Sequence, residues 1–168
     1  MHSFNDAFEQ YFSNKISQSE LLVKIGSDMP GFEEGVRRNL QDALLKKDSK
    51  NIEYLVYVIM LVEDKISLQD FVEILNKLLI CDWHEQHENI VMILQKLHSP
   101  LSVDYLKKAI YMNLKYLEWD DNYAFEVKCI WALGYIHNLE SKLVLEEITR
   151  NSNKILSENA ENQLKKYK

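Results

Sequence analysis

Two histidines and a glutamate stand close together in one short stretch of the chain and could hold a metal ion. His84 and His87 are three residues apart, and Glu88 follows directly. Imidazole and carboxylate groups on one helix face can coordinate a transition metal. The zinc-protease pattern HExxH needs two histidines four residues apart, and this spacing is absent. Because surface histidines and glutamates are common at helix starts, where acids also complement the helix dipole, we predict no metal and no cofactor here.

Sequence patterns for other kinds of catalysis are also missing. The chain has no GxSxG turn, no phosphate-binding loop and no dinucleotide glycine fingerprint. Cys129 lies among apolar residues in a helical stretch, which is a poor setting for an activated thiolate. We therefore predict that the chain has no catalytic residues and is not an enzyme.

Two clusters of aromatic and acidic residues are the strongest candidates for a binding surface. The first cluster contains Trp83, His84, Glu85 and Glu88, and the second contains Glu118, Trp119, Asp120, Asp121, Tyr123 and Glu126. No lysine or arginine lies between Lys115 and Lys128, so the acids of the second cluster have no neighbouring cation in the chain. Rings provide buried area in an interface, and carboxylates steer a basic partner. The alternative is two solvated turns whose tryptophans pack inwards.

The charge and composition of the chain indicate which class of partner it binds and in which cellular compartment it acts. Twenty basic and 26 acidic residues give a net charge of −6. Proteins that bind nucleic acid usually present a basic face, so we predict a basic protein partner and no nucleic acid. The longest apolar run, 54–62, is too short for a membrane span, and the first residues lack a signal peptide. With two isolated cysteines, Cys81 and Cys129, this predicts a cytoplasmic protein, monomeric when free.

Hydrophobic periodicity predicts helices along almost the whole chain. We expect them over 4–12, 20–28, 32–46, 52–62, 67–80, 85–97, 103–117, 123–137, 140–150 and 157–166. Residues 90–98 match 129–137 after a shift of 39 positions, with Leu-x-x-Leu-His opposite Leu-x-x-Ile-His, and 55–62 after a shift of 35. A period of this length with two helices is typical of HEAT and armadillo solenoids, and an irregular helical bundle is the alternative.

One segment resembles the second-helix signature of HEAT repeats. It covers 121–136 and matches the signature at Asp121, Val127, Lys128, Ala132, Leu133, Gly134 and Ile136. The small, acidic chain with degenerate repeats over 52–167 also resembles bacterial immunity proteins against polymorphic toxins, including those of contact-dependent growth inhibition. The resemblance implies an all-α, right-handed HEAT-like stack of antiparallel helix pairs. We expect one domain over 1–168, with irregular helices over 1–50 and HEAT-like pairs over 51–168.

The 39-residue shift also places the two clusters in equivalent turns of adjacent repeats. Asp82 falls on Asp121 and His84 on Tyr123, so we expect the turns to lie about 10 Å apart and to form one acidic ridge. A third candidate is the stripe of Lys128, Trp131 and Tyr135, which could instead pack between repeats.

The predicted function is that of an immunity protein. It would bind a cognate toxin, a basic nuclease domain, through the two clusters and occlude its active site. The first alternative is a HEAT-like scaffold or adaptor without enzymatic activity. The second is an enzyme, since some HEAT-like folds are DNA glycosylases or lyases, and a glycosylase would need a basic concave groove.

Overall fold

The computed structural model describes residues 2–167, and all regular elements within them are helices. The ten α-helices are α1 (His2–Phe12), α2 (Gln18–Lys24), α3 (Phe32–Lys46), α4 (Ser49–Leu61), α5 (Val72–Leu79), α6 (His87–Leu97), α7 (Val103–Ile110), α8 (Ala124–Ile136), α9 (Leu139–Ile148) and α10 (Lys154–Leu164). Short 3-10 turns lie at Leu68–Phe71, Pro100–Ser102, Lys115–Leu117 and Lys165–Tyr167. The prediction of an all-helical chain is confirmed. Among these helices, none has the length and apolar character that a membrane crossing requires.

The chain divides into two compact units, with the boundary between Ser67 and Leu68. The first unit contains α1 to α4, and the second contains α5 to α10. The sequence pattern groups α4 with the helix pairs that follow it, whereas in the structure α4 packs on α1 and α3. The expectation of a single domain over 1–168 stays a prediction.

Aromatic side chains hold α1 against α4 in the first unit. The ring of Phe8 is completely buried and stacks on that of Tyr54, with 4.7 Å between the ring centroids. The hydroxyl groups of Tyr11 and Tyr57 are hydrogen-bonded at 2.8 Å. The next helix, α2, begins with a capping box in which Ser17 accepts the backbone N–H of Glu20. Local capping and ring packing therefore organise this unit.

The six helices of the second unit form two rows. Consecutive helices pack as the pairs α5–α6, α7–α8 and α9–α10. The first members, α5, α7 and α9, contact one another in order and form the first row. The second members, α6, α8 and α10, form the second row in the same way. Each pair therefore covers the apolar faces of the next.

Several helix boundaries differ from the prediction by three residues or more, at the end of α2, the starts of α4 and α5, the end of α7 and the start of α10. The helix expected over 103–117 ends at Ile110, and the chain then turns through 111–114 with Leu114 buried. The last helix begins at Lys154, earlier than the predicted 157, because the Asn153 side chain accepts the N–H groups of Ile155 and Leu156. The early end of α7 lengthens the connection that carries the second cluster.

The central helix of the second row, α8, comes very close to α10 at Gly134. A Cβ atom built on Gly134 would lie 2.9 Å from the Cβ of Gln163, and Gln163 is itself buried. Carbon atoms cannot approach this closely without movement of one helix. Glycine in a helix interior costs about 1 kcal/mol relative to alanine, so this position trades helix propensity for close packing.

We expect Gly134→Ala to lower the free energy of unfolding by about 1–3 kcal/mol, because the added methyl overpacks the contact with Gln163. Gly35→Ala is the matched control, since its Cβ would meet no atom within 4 Å. This control should raise stability by about 0.5–1 kcal/mol. Urea unfolding followed by circular dichroism measures both, and a neutral effect of Gly134→Ala would contradict the packing role.

Candidate binding site at the two connections

The two predicted clusters lie on neighbouring connections between the rows. The first cluster occupies the connection from α5 to α6 and the start of α6, and the second occupies the connection from α7 to α8 and the start of α8. Contacts that involve residues next to the clusters join the two connections. The ring nitrogen Nδ1 of His87 is 2.9 Å from the hydroxyl of Tyr116, and Glu88 forms an ion pair with Lys128. The structure therefore places the two connections next to each other, and that the two clusters form one ridge stays a prediction.

Both histidines of the first connection are buried and hold its backbone. His84 is 2% exposed; its Nε2 lies 2.9 Å from the carbonyl oxygen of Leu78, and its Nδ1 accepts the N–H of Gln86 at 3.1 Å. His87 Nε2 lies 2.6 Å from the carbonyl oxygen of Cys81. A carbonyl oxygen can only accept, so Nε2 carries the proton in both rings. His84 was predicted to contact a partner, but in this arrangement its ring is enclosed within the chain.

The histidine environment favours the neutral rings. The two rings stack with 4.4 Å between centroids. Burial lowers the pKa of His84, against a smaller opposing effect of its bond to Leu78. Burial and the charge of a protonated His84 lower the pKa of His87 to about 4. Each neutral ring has one donor and one acceptor nitrogen, and a second proton on His84 would break the bond that its Nδ1 accepts from Gln86.

The possible metal ligands of the first cluster do not converge on one point. The ring nitrogens of His84 and His87 bond within the chain, and Glu88 pairs with Lys128. Over residues 2–167, no three His, Cys, Asp or Glu side chains are placed to hold a metal ion together. The histidine spacing noted in the sequence therefore corresponds here to hydrogen bonding within a turn.

Carboxylates from both clusters affect the pKa of the Tyr116 hydroxyl. Burial together with the negative charge of Glu88, Glu85 and Glu126 raises the pKa of Tyr116 to about 12. The pKa of Glu126 is also raised, first by burial and then by the charges of Asp120 and Glu88. Lys128 pairs with Glu88, whereas Glu126 and Asp120 have no ion pair of this kind with a lysine or arginine among the described residues.

The second cluster lines an open cleft of about 350 Å³. Its acidic and aromatic lining consists of Tyr111, Glu118, Asp120, Asp121, Tyr123 and Glu126, and Asn113, Leu114 and Leu156 lie among its other walls. Trp119 lies between the lining residues Glu118 and Asp120 in the chain and is 87% exposed. A tryptophan this exposed is unusual, since its large apolar ring normally finds a buried position.

Asp120 has a structural role that its neighbours lack. Its carboxylate accepts the N–H of Asn122 at 3.0 Å and the N–H of Ala124, the first residue of α8, at 2.7 Å. It therefore caps α8, although the cap residue by position is Tyr123, whose φ of 53° is left-handed. Glu118 and Asp121 are exposed and make no such bonds. Asp120 orients the cluster, and Glu118 and Asp121 are exposed at its surface.

The two tryptophans of the predicted ridge have different surroundings. Trp83 is half-buried, and its ring meets the edge of the His84 ring with 5.2 Å between centroids. Glu85 is exposed beside it. The ring of Trp83 at the first connection is therefore partly buried, whereas the ring of Trp119 at the second connection points outwards.

The sequence interpretation missed Tyr116 and Tyr111, which lie in the stretch assigned to a helix over 103–117. Tyr116 bonds to His87, and Tyr111 lines the cleft. Asn113, a residue common in turns, is the signal that could have ended this helix early.

Comparison with known proteins identifies no relative: no protein family, no curated protein and no solved structure matches this chain significantly.

The buried histidines predict a loss of stability in mild acid. The unfolded chain takes up a proton at His87 near pH 6.5 and the folded chain only near pH 4. The stabilisation is therefore complete above pH 6.5 and decreases as the pH falls to 4, by about 3 kcal/mol. Urea unfolding across this range measures the loss, and an NMR titration of the His87 ring gives its pKa directly.

The control for this prediction is His98→Asn. His98 is exposed at the end of α6 with a φ of 48°, a backbone conformation that asparagine tolerates. This variant should keep the full acid-dependent loss, whereas His87→Gln should reduce it. Equal pH dependence in both variants would rule out His87 as the cause.

We expect Asp120→Ala to lower the free energy of unfolding by about 1–2 kcal/mol, because two backbone N–H groups lose their acceptor. Asp121→Ala removes the same charge from the next position and should change stability by less than about 0.5 kcal/mol. Thermal unfolding of the two variants distinguishes helix capping from a general effect of charge. A general effect of charge would change the stability of both variants equally.

Proposed function

We propose that this protein is an immunity-type inhibitor that acts in the cytoplasm by binding a toxin domain and covering its active site. The observation that carries the proposal is the outward ring of Trp119 beside an acidic cleft. Exposed tryptophans of this kind mark interfaces, where they provide a large share of the binding energy. The acidic surroundings favour a basic partner, such as a nuclease domain.

The contact pattern of the second unit supports a HEAT-like arrangement. In such solenoids the first helices of successive pairs pack in one row and the second helices in another. The contacts among α5, α7 and α9 and among α6, α8 and α10 follow this order. The period of 39 residues between matching segments of α6 and α8 is in the same range. We therefore propose that α5 to α10 form a short HEAT-like stack.

The proposed mechanism is steric and electrostatic. Glu126 is half-buried in the cleft, and its pKa is raised because burial and neighbouring carboxylates destabilise its charge. A lysine or arginine of the partner would relieve this repulsion and form a charge-assisted hydrogen bond. Glu118 and Asp121 at the surface would attract the basic domain before contact. The carboxylates would thus occupy the positions that nucleic-acid phosphates take on a nuclease.

The direct test is a pull-down from the native cell, preceded by identification of the adjacent gene. A stoichiometric complex with a basic toxin domain whose activity the protein abolishes would support the inhibitor. A partner without toxic activity would favour a HEAT-like scaffold or adaptor. A complex that forms but leaves toxin activity intact would contradict occlusion of the active site.

Charge reversal at the cleft should slow association with the toxin domain. The double variant Glu118→Lys, Asp121→Lys removes the exposed charges and leaves the Asp120 cap in place. We expect the association rate constant at low salt to fall about tenfold, because electrostatic steering is lost. Stopped-flow or surface plasmon resonance kinetics at several salt concentrations measure it.

The matched control is Glu140→Lys, Glu161→Lys, which changes the net charge equally at exposed positions outside the cleft lining. Its association rate should change much less. Equal slowing in both double variants would show that net charge, and not the cleft, controls association. Trp119→Ala should instead raise the dissociation rate, because the ring contributes buried area once the complex has formed.

A further inference from the structure

A pocket of about 230 Å³ lies in the first unit, between α1, α3 and α4. Asn39, Asp42 and Lys46 line it from α3, at a spacing that places them on one face of that helix. α1 packs on α2 and α4. Because this face of α3 is polar, it offers α1 few apolar side chains to pack against, and a pocket remains between the three helices.

Apolar side chains form the deepest part of this pocket, which we call the amide pocket. Leu55 of α4 and Ala43 of α3 are both buried and both line it. Phe4 of α1 also lines it, and the Phe4 ring contacts that of Phe8, with 5.1 Å between centroids. A flat ligand in the amide pocket would therefore meet aliphatic groups and an aromatic ring.

Two side-chain amides in the pocket can bond to a ligand. Asn5 of α1 and Asn39 of α3 both line the pocket, and neither amide makes a hydrogen bond to another described side chain. The other polar pair is occupied, since Asp48 accepts the backbone N–H of Asn51 at 3.1 Å and its side-chain amide at 2.6 Å. Each asparagine amide carries a donor and an acceptor side by side, so the pocket can match a ligand that has both.

The charges and the size of the amide pocket select against several classes of ligand. The ammonium group of Lys46 lies 3.8 Å from the Asp42 carboxylate, and Asp48 adds a second carboxylate. Two carboxylates repel a phosphate, and the ammonium group repels a metal cation. The volume is below the roughly 300–1,000 Å³ of pockets for drug-sized ligands, so a peptide segment would not fit. A small neutral ligand fits these constraints best.

We infer that the amide pocket binds a neutral nucleobase that carries an amino group, such as adenine. The edge of adenine presents a donor next to an acceptor, and an asparagine amide pairs with this edge through two hydrogen bonds. The face of a base stacks on aromatic side chains, a role that Phe4 can take. This inference does not rest on the proposed function, because the pocket lies in the first unit and the acidic cleft in the second.

An NMR titration of the full chain with adenine tests the inference. We expect saturable shifts of the backbone signals of 39–46 and no shift of the Trp119 indole N–H, which reports on the acidic cleft. Purine has the same rings without the amino group and should bind about tenfold more weakly. Glucose has hydroxyl groups but no aromatic face and should cause no shift. Equal binding of purine and adenine, or a stronger response to glucose, would overturn the inference.

Replacement of the pocket amides tests their role. Asn39→Leu removes the amide at nearly constant size from an exposed helix position and should weaken adenine binding about tenfold or more. Gln41→Leu is the matched control, since it removes an exposed amide from the same helix outside the pocket lining, and it should bind like the original protein. Asn5→Leu repeats the test from α1, and circular dichroism verifies that each variant is folded. Equal binding by the pocket variants and the control would contradict the inference.

Discussion

The packing of α8 between its neighbours is the constraint on which the second unit depends. This helix contacts α6, α7, α9 and α10, and its buried residues include Phe125, Ile130 and Leu133, whereas Trp131 and Tyr135 lie on its exposed side. Contacts on so many sides leave it little surface for polar side chains, which explains its nearly uniform apolar sequence. The position of α8 then determines two further features. Gly134 allows α10 to pack closely against α8, and the first residue of α8 marks the end of the second connection.

Buried polar groups tie the two connections together at the start of α8. The ring of Phe125 packs against His87, which bonds to Tyr116 on one side and to the carbonyl of Cys81 on the other. Such a network is stabilising only while each donor meets an acceptor, since an unmatched buried group costs about 1–3 kcal/mol. The acidic clusters on the two connections can therefore carry several like charges. Their positions are fixed by buried side chains that stay neutral.

The sequence predicted the helical class, because that class follows from hydrophobic periodicity, whereas the ridge that the 39-residue shift indicates stays a prediction. It could not predict which rings point outwards: Trp83 and Trp119 stand in similar acidic surroundings in the chain, yet only Trp119 is largely exposed. The end of α7 and the burial of His84 depend on contacts between distant residues, such as that of Tyr116 with His87. The local sequence around each residue does not indicate those contacts.

The adjacent carboxylates of the second cluster differ in their structural roles. This difference affects which of them can mutate during evolution. Asp120 caps α8, so a change there carries a stability cost, whereas Glu118 and Asp121 make no hydrogen bonds that the helix needs. Because proteins tolerate only a few kcal/mol of destabilisation, mutations accumulate most easily at positions without such duties. If the proposed inhibitor function holds, partner specificity can therefore change at Glu118, Trp119 and Asp121 while the helices that carry them stay the same.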